Sequence, residues 1–143
     1  MKILTLLFLL TTTLFSFSQE ATIRSYQQLK TENGVTIYVG EGTYKVSSNN
    51  TSHSRYFLKY ENTTNQEVTI SFNKEMHYRE TCYGCDSNNQ EQQFSIVIPV
   101  NTTYSFDENH NDKRYYIFRK DNNGWITKEL TDFSIKNINI KLL

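Results

Sequence analysis

The sequence predicts an all-β chain folded as an antiparallel sandwich, and three observations predict it. Apolar residues alternate with polar ones over short runs, as in Tyr56, Leu58 and Tyr60 or Val68, Ile70 and Phe72. Period two over so few residues marks strands with one buried face. The composition is rich in Tyr (10) and Phe (9) and thin in Gly (5) and Pro (1), which favours pleated surfaces over helices. Turn signals such as Asn33-Gly34 and Asn123-Gly124 then separate the alternating runs.

Taken in order, the chain opens as a leader. Lys2 supplies a positive start, residues 3–10 an apolar core and residues 11–17 a weaker exit, with small Ser16 and Ser18 placed for cleavage before Gln19. That apolar core is too short for the ~30 Å of a bilayer, so residues 1–18 read as a signal peptide rather than an anchor. Residues 20–30 stay open between strand and helix, because Ile23, Tyr26 and Leu29 are spaced by three. Asn33-Gly34 suits either a helix C-cap or a tight hairpin. Val35, Ile37 and Val39 alternate as a strand, Gly40-Glu41-Gly42 reads as a turn, Tyr44 and Val46 begin a short strand, and residues 47–54 read as a polar loop.

Residues 55–60 and 68–72 are the clearest strands, joined by the wholly polar turn 61–66. The even-numbered apolar set continues to Met76 and Tyr78, with Lys74 the single interruption, and so long a run calls for a bend or bulge near Asn73-Lys74 where the strand passes to the other sheet. Residues 92–98 form the next strand, ended by Pro99. A short strand over 103–106 and a charged loop over 107–113 follow. Residues 115–119 and 125–130 flank Asn123-Gly124 as a hairpin. In the last run the apolar parity slips from Phe133 and Ile135 to Ile138, Ile140 and Leu142, the mark of a β-bulge at Lys136-Asn137.

Some eight short strands at this spacing point to an immunoglobulin-like antiparallel β-sandwich over residues 19–143, with a small closed β-barrel as the alternative. Removing the leader leaves 125 residues, enough for one domain, with 14 basic side chains against 15 acidic. A near-neutral chain without a basic cluster is not expected to bind nucleic acid. No later stretch is apolar enough to span a membrane, so the mature protein is expected in the periplasm or secreted.

The run Tyr56-Phe57-Leu58-Lys59-Tyr60-Glu61-Asn62, the Cys82-Tyr83-Gly84-Cys85 loop and the closing Leu130-Thr131-Asp132-Phe133 resemble small uncharacterised secreted β-sandwich proteins of the Bacteroidota. The Ser18-Gln19 junction is similar to signal peptides of those bacteria. The resemblance implies export and a sandwich fold; it carries no catalytic residue with it.

Cys82-Tyr83-Gly84-Cys85 is the one motif with chemical content. Two cysteines in an exported chain are expected to form a disulfide, which in so short a loop contributes about 2 kcal/mol by loop-closure entropy. A thioredoxin-like redox pair would want a helix N-terminus at the first cysteine, and the sequence here is polar and without helical pattern. A zinc or copper site on Cys82 and Cys85, with His77 or His110 as a further ligand, is the alternative, although no second Cys-x-x-Cys accompanies the first. No nucleophile–base pair, Gly-x-Ser-x-Gly turn or phosphate loop is present, so no enzymatic activity and no cofactor are expected. Tyr38, Phe57, Tyr83, Tyr116 and Trp125 are the candidate ligand-binding residues: several fall on the expected outward faces of strands, where aromatic rings stack on a glycan or anchor a protein. The sequence thus points to an exported binding module for a protein or glycan ligand, with the metal site as its competitor.

Overall fold

A computed structural model describes residues 18–86, 90–108 and 111–143. Almost all of the expected leader, and His110, lie outside the described residues. Among the described residues nine strands run β1 (Gln19–Glu32), β2 (Val35–Val46), β3 (Thr51–Asn62), β4 (Val68–Tyr78), β5 (Thr81–Tyr83), β6 (Gln93–Ile98), β7 (Thr102–Tyr104), β8 (Tyr116–Asp121) and β9 (Asp132–Leu142). They form two antiparallel sheets. In the first, β1, β2 and β3 lie in order, and the far side of β3 is shared by β8 at its start and β7 at its end. In the second, β4 is central: β9 covers one side along nearly its whole length, while β6 and then β5 share the other. Neither sheet closes on itself, so the chain is a β-sandwich and not the alternative barrel.

The two sheets meet over a single apolar layer. Val35, Ile37, Leu58 and Tyr60 face Val68, Ile70, Phe72, Ile96 and Ile98, all essentially without solvent exposure. These are the alternating positions the sequence singles out, because register fixes which set points inward. Tyr60 satisfies its hydroxyl by donating to the Arg114 carbonyl at 2.7 Å. A smaller cluster of Tyr78, Ile117 and Leu130 continues the core toward the end of β4.

One open segment is settled and several expectations are corrected. Residues 20–30 are strand throughout, and Asn33 and Gly34, both at positive φ, close a two-residue hairpin turn between β1 and β2. Gly40-Glu41-Gly42 is not a turn but the middle of β2. A Cβ on Gly42 would strike the Thr22 carbonyl oxygen and stand 2.9 Å from the Phe57 ring, so these glycines admit a close approach of the twice-bulged edge strand β1. The polar run 47–54 holds one 3-10 turn, and its second half belongs to β3, whose partners satisfy a backbone that side-chain polarity alone suggested was loop. Asn62 in the polar turn is buried: its amide donates to the carbonyls of Gln66, Ile98 and Pro99, and its oxygen accepts from Thr64 N and Oγ1.

No hairpin forms around Asn123-Gly124. The Asp121 carboxylate instead accepts from the backbone N–H groups of Asn123, Trp125 and Ile126 at 2.9, 2.8 and 3.0 Å, and these bonds curl residues 122–126 away from a ladder. β4 does not change sheets at Asn73-Lys74; it changes partner, from β6 to β5. The irregularity lies opposite, in β9, where one extra residue is accommodated with Asn137 at φ 53, at the position where the parity slips.

Lys74 keeps the inward parity of β4 and is 1% exposed. Its ammonium group lies 4.6 Å from the Phe94 ring centre and donates to the carbonyls of Lys113 and, at 2.8 Å, Tyr116. Lys113 opens the 3-10 turn Lys113–Tyr115 and Tyr116 caps its end, so Lys74 supplies donors to carbonyls on both sides of this turn. Burial drives its pKa down to about 7, opposed by Asp112.

Candidate functional site

The end of β4 and its short partner β5 carry chemistry on both faces. The ladder pairs Met76 with Tyr83, His77 with Cys82 and Tyr78 with Thr81. Because side chains alternate, His77 and Cys82 share the outer face of the sheet, while Met76, Tyr78 and Tyr83 share the inner one. The His77 carbonyl is held from the far side by Thr131, whose N–H and hydroxyl both donate to it, at 2.8 and 3.0 Å.

On the outer face, Gly84 turns the chain back at φ +82, where a Cβ would collide with the Lys74 carbonyl oxygen. Only glycine fits this approach, and it returns Cys85 to the side of Cys82. The two Cα atoms are 5.9 Å apart and the sulfurs are in direct contact. His77 Nε2 lies 3.6 Å from Cys82 Sγ and 3.7 Å from Cys85 Sγ. Sequence spacing suggested this trio only as an alternative; strand register brings it together. Across β9 the register neighbour of His77 is Asp132, and that of Glu75 is Ser134. Lys136, at 2.7 Å, holds the Glu75 carboxyl below its ordinary range.

On the inner face, the edge of the sandwich opens between the β4–β5 turn and the segment 122–130. A depression of about 780 Å³ is lined by Tyr78, Arg79, Glu80 and Thr81 on one wall and residues 125–128 on the other. It adjoins an apolar hollow of about 330 Å³ made by Met76, Tyr83, Phe118 and Ile126 together with Tyr78 and Lys128. Lys128 donates to the Tyr83 hydroxyl and its ammonium lies 4.0 Å from the Tyr83 ring centre. Tyr78 stands edge-on to Tyr83 at 5.6 Å and donates its hydroxyl to the Phe118 carbonyl; burial pushes its pKa up to about 12, so it stays a donor. Trp125 is 67% exposed on the rim, yet its backbone is held by the Asp121 carboxylate. The backbone donors, that of Asn123 foremost, hold the Asp121 carboxyl below its ordinary range.

Of the five candidate aromatics, the structure brings Tyr83 and Trp125 to this edge. The other three serve the outer face of the first sheet. Phe57, expected outward and accessible, is 0% exposed, because the segment around Phe106 folds over that face and sets its ring edge-on to Phe57 at 5.1 Å. Tyr116 and Tyr44 clamp the buried Arg55 guanidinium from two sides, each 4.0 Å from the ring centre, and Arg55 donates to Asn111 at 2.7 Å. Tyr38 donates to Glu61 at 2.6 Å and lies against Lys59. Each of these rings is engaged within the fold. Sequence reasoning missed Lys128, Ile126 and Asp121 at the edge. Only Asp121 left a trace, as the Asx residue ahead of Asn-Asn-Gly.

No helix among the described residues is long and apolar enough to cross a membrane. Compared with known proteins, the chain matches no family model, no curated protein and no solved structure.

Proposed function

We propose that this is an exported, non-enzymatic β-sandwich that binds carbohydrate along the edge formed by Tyr83, Trp125 and Lys128, with Cys82 and Cys85 joined as a disulfide behind it. The observation that carries this reading is Trp125: a large ring left two-thirds in water, on the rim of a depression whose opposite wall offers Arg79, Glu80 and Thr81. An indole costs free energy when left in water, and its flat face suits the C–H face of a pyranose while charged and hydroxyl groups opposite meet the sugar hydroxyls. The three hydrogen bonds to Asp121 hold the segment carrying that ring before a ligand arrives, which lowers the entropy cost of binding. In the exported protein the disulfide fixes β5, and hence Tyr83, against β4.

Affinity electrophoresis through gels containing a panel of soluble bacterial and plant polysaccharides tests this. The wild-type protein is expected to be retarded by at least one of them. Trp125→Ala should lose at least about 2 kcal/mol of that affinity, roughly 30-fold, as an anchoring aromatic does. Retardation by none, or equal retardation of the variant, overturns the proposal.

A further inference from the structure

On the opposite face of the same ladder, we infer that His77, Cys82 and Cys85 form, once the two cysteines are reduced, a binding site for a thiophilic cation of the zinc class. The inference is independent of carbohydrate binding, since none of the three residues lines the depression beneath Trp125.

Distance carries the argument. The three ligand atoms lie within 4.8 Å of one another. Around a tetrahedral zinc with Zn–S of about 2.3 Å and Zn–N of about 2.0–2.1 Å, a nitrogen and a sulfur ligand stand roughly 3.6 Å apart. His77 Nε2 already lies at 3.6 and 3.7 Å from the two sulfurs. The imidazole is therefore placed for a common metal centre by its strand register, with no movement of β4. Only the sulfur pair must open. The backbone around the site is held independently, by the double hydrogen bond from Thr131 to the His77 carbonyl and by the close packing of Gly84 on Lys74. Cys85 is exposed, so a cation can enter from solvent and keep a water or a further ligand in its fourth position.

The chemistry balances. An external dithiol attacks the Cys82–Cys85 bond, is itself oxidised to a disulfide, and delivers two electrons and two protons to leave two thiols. Zinc then forms two Zn–S bonds and displaces the two thiol protons to solvent, while neutral His77 donates its Nε2 lone pair. An external disulfide reverses this: it takes two electrons from the two thiolates and two protons from solvent, leaves as two thiols, and the re-formed Cys82–Cys85 bond releases Zn²⁺, since a disulfide sulfur is a poor ligand. The loop is thus a two-state element: locked and metal-free when oxidised, metal-loaded when reduced.

The test is an anaerobic titration of the full mature protein with Zn²⁺ against a chromophoric chelator, before and after reduction and desalting, with thiols counted in the same samples. Reduced wild-type protein is expected to take one Zn²⁺ per chain and the oxidised protein none. His77→Ala and His77→Gln should each weaken binding by more than the roughly 10–100-fold that loss of an outer-shell partner costs. Cys82→Ser with Cys85→Ser should abolish it. Circular dichroism checks that each variant retains its strands. The inference is overturned by protein with two free thiols that takes no zinc, by zinc binding that survives the double serine substitution, or by an affinity that neither histidine variant alters.

Discussion

Lys74→Met removes the ionisable group buried between the two sheets. In the unfolded chain Lys74 holds its proton up to its ordinary pKa of 10.5, whereas in the folded protein burial lowers that value to about 7. Between those limits the unfolded state binds more protons, so stability must rise with pH. At about 1.4 kcal/mol per tenfold, the whole interval is worth at most about 5 kcal/mol, of which roughly 2 kcal/mol falls between pH 7 and pH 9. The neutral amine suits the site well: it has two N–H donors, and the carbonyls of Lys113 and Tyr116 accept both. Methionine preserves the stem but strands those carbonyls, so the absolute stability of the variant mixes two effects. Its pH dependence does not. Urea unfolding at pH 7 and pH 9 should show the wild type gaining about 2 kcal/mol more than Lys74→Met over that range. Parallel pH profiles for the two proteins would refute the assignment of a buried, neutral lysine.

Two further substitutions probe the structure that positions the site, beside the Trp125 and His77 variants above. Asn62→Ala removes a buried side chain that makes five hydrogen bonds and ties the β3–β4 turn to the end of β6. It should cost about 3 kcal/mol in urea unfolding, and a loss under about 1 kcal/mol would show that the buried amide is dispensable. Gly84→Ala forces a Cβ into the Lys74 carbonyl at a positive φ. A loss of about 2 kcal/mol, together with weaker zinc uptake by the reduced protein, is expected from calorimetry and chelator competition, and an unchanged melting temperature would contradict it.

The sandwich was legible because a half-buried strand writes its register into the sequence: Val68, Ile70 and Phe72 can face inward only together. The bulge in β9 was legible for the same reason, as a change of parity. Side-chain polarity failed where the backbone had partners that no local pattern reveals. Residues 51–54 look like loop but pair with β2, and Gly40 and Gly42 look like a turn but lie under β1. The Asn123-Gly124 signal failed to a stronger local competitor, the Asp121 carboxylate. Phe57 was misjudged because alternation assigns a face but cannot say whether another segment covers it, and Phe106 does. The candidate site was half visible: Cys82 and Cys85 announce themselves by spacing, whereas His77 joins them through a register known only once β5 is seen to pair with β4. Lys74 marks the opposite lesson. As an interruption in an apolar series it suggests a bend or bulge where the strand passes to the other sheet, and it is instead a buried donor set inside the core.

Trp125 is the only tryptophan in the chain, so its emission reports on the proposed carbohydrate edge and on nothing else. A fluorescence titration of the oxidised protein with oligosaccharides of the polysaccharide that retards it is therefore the most direct test of the central claim. A saturable shift of the emission to shorter wavelength is expected as the sugar covers the exposed indole, with the same midpoint as binding measured by calorimetry. Saturated binding that leaves the emission where free protein has it would place the ligand elsewhere and contradict the account.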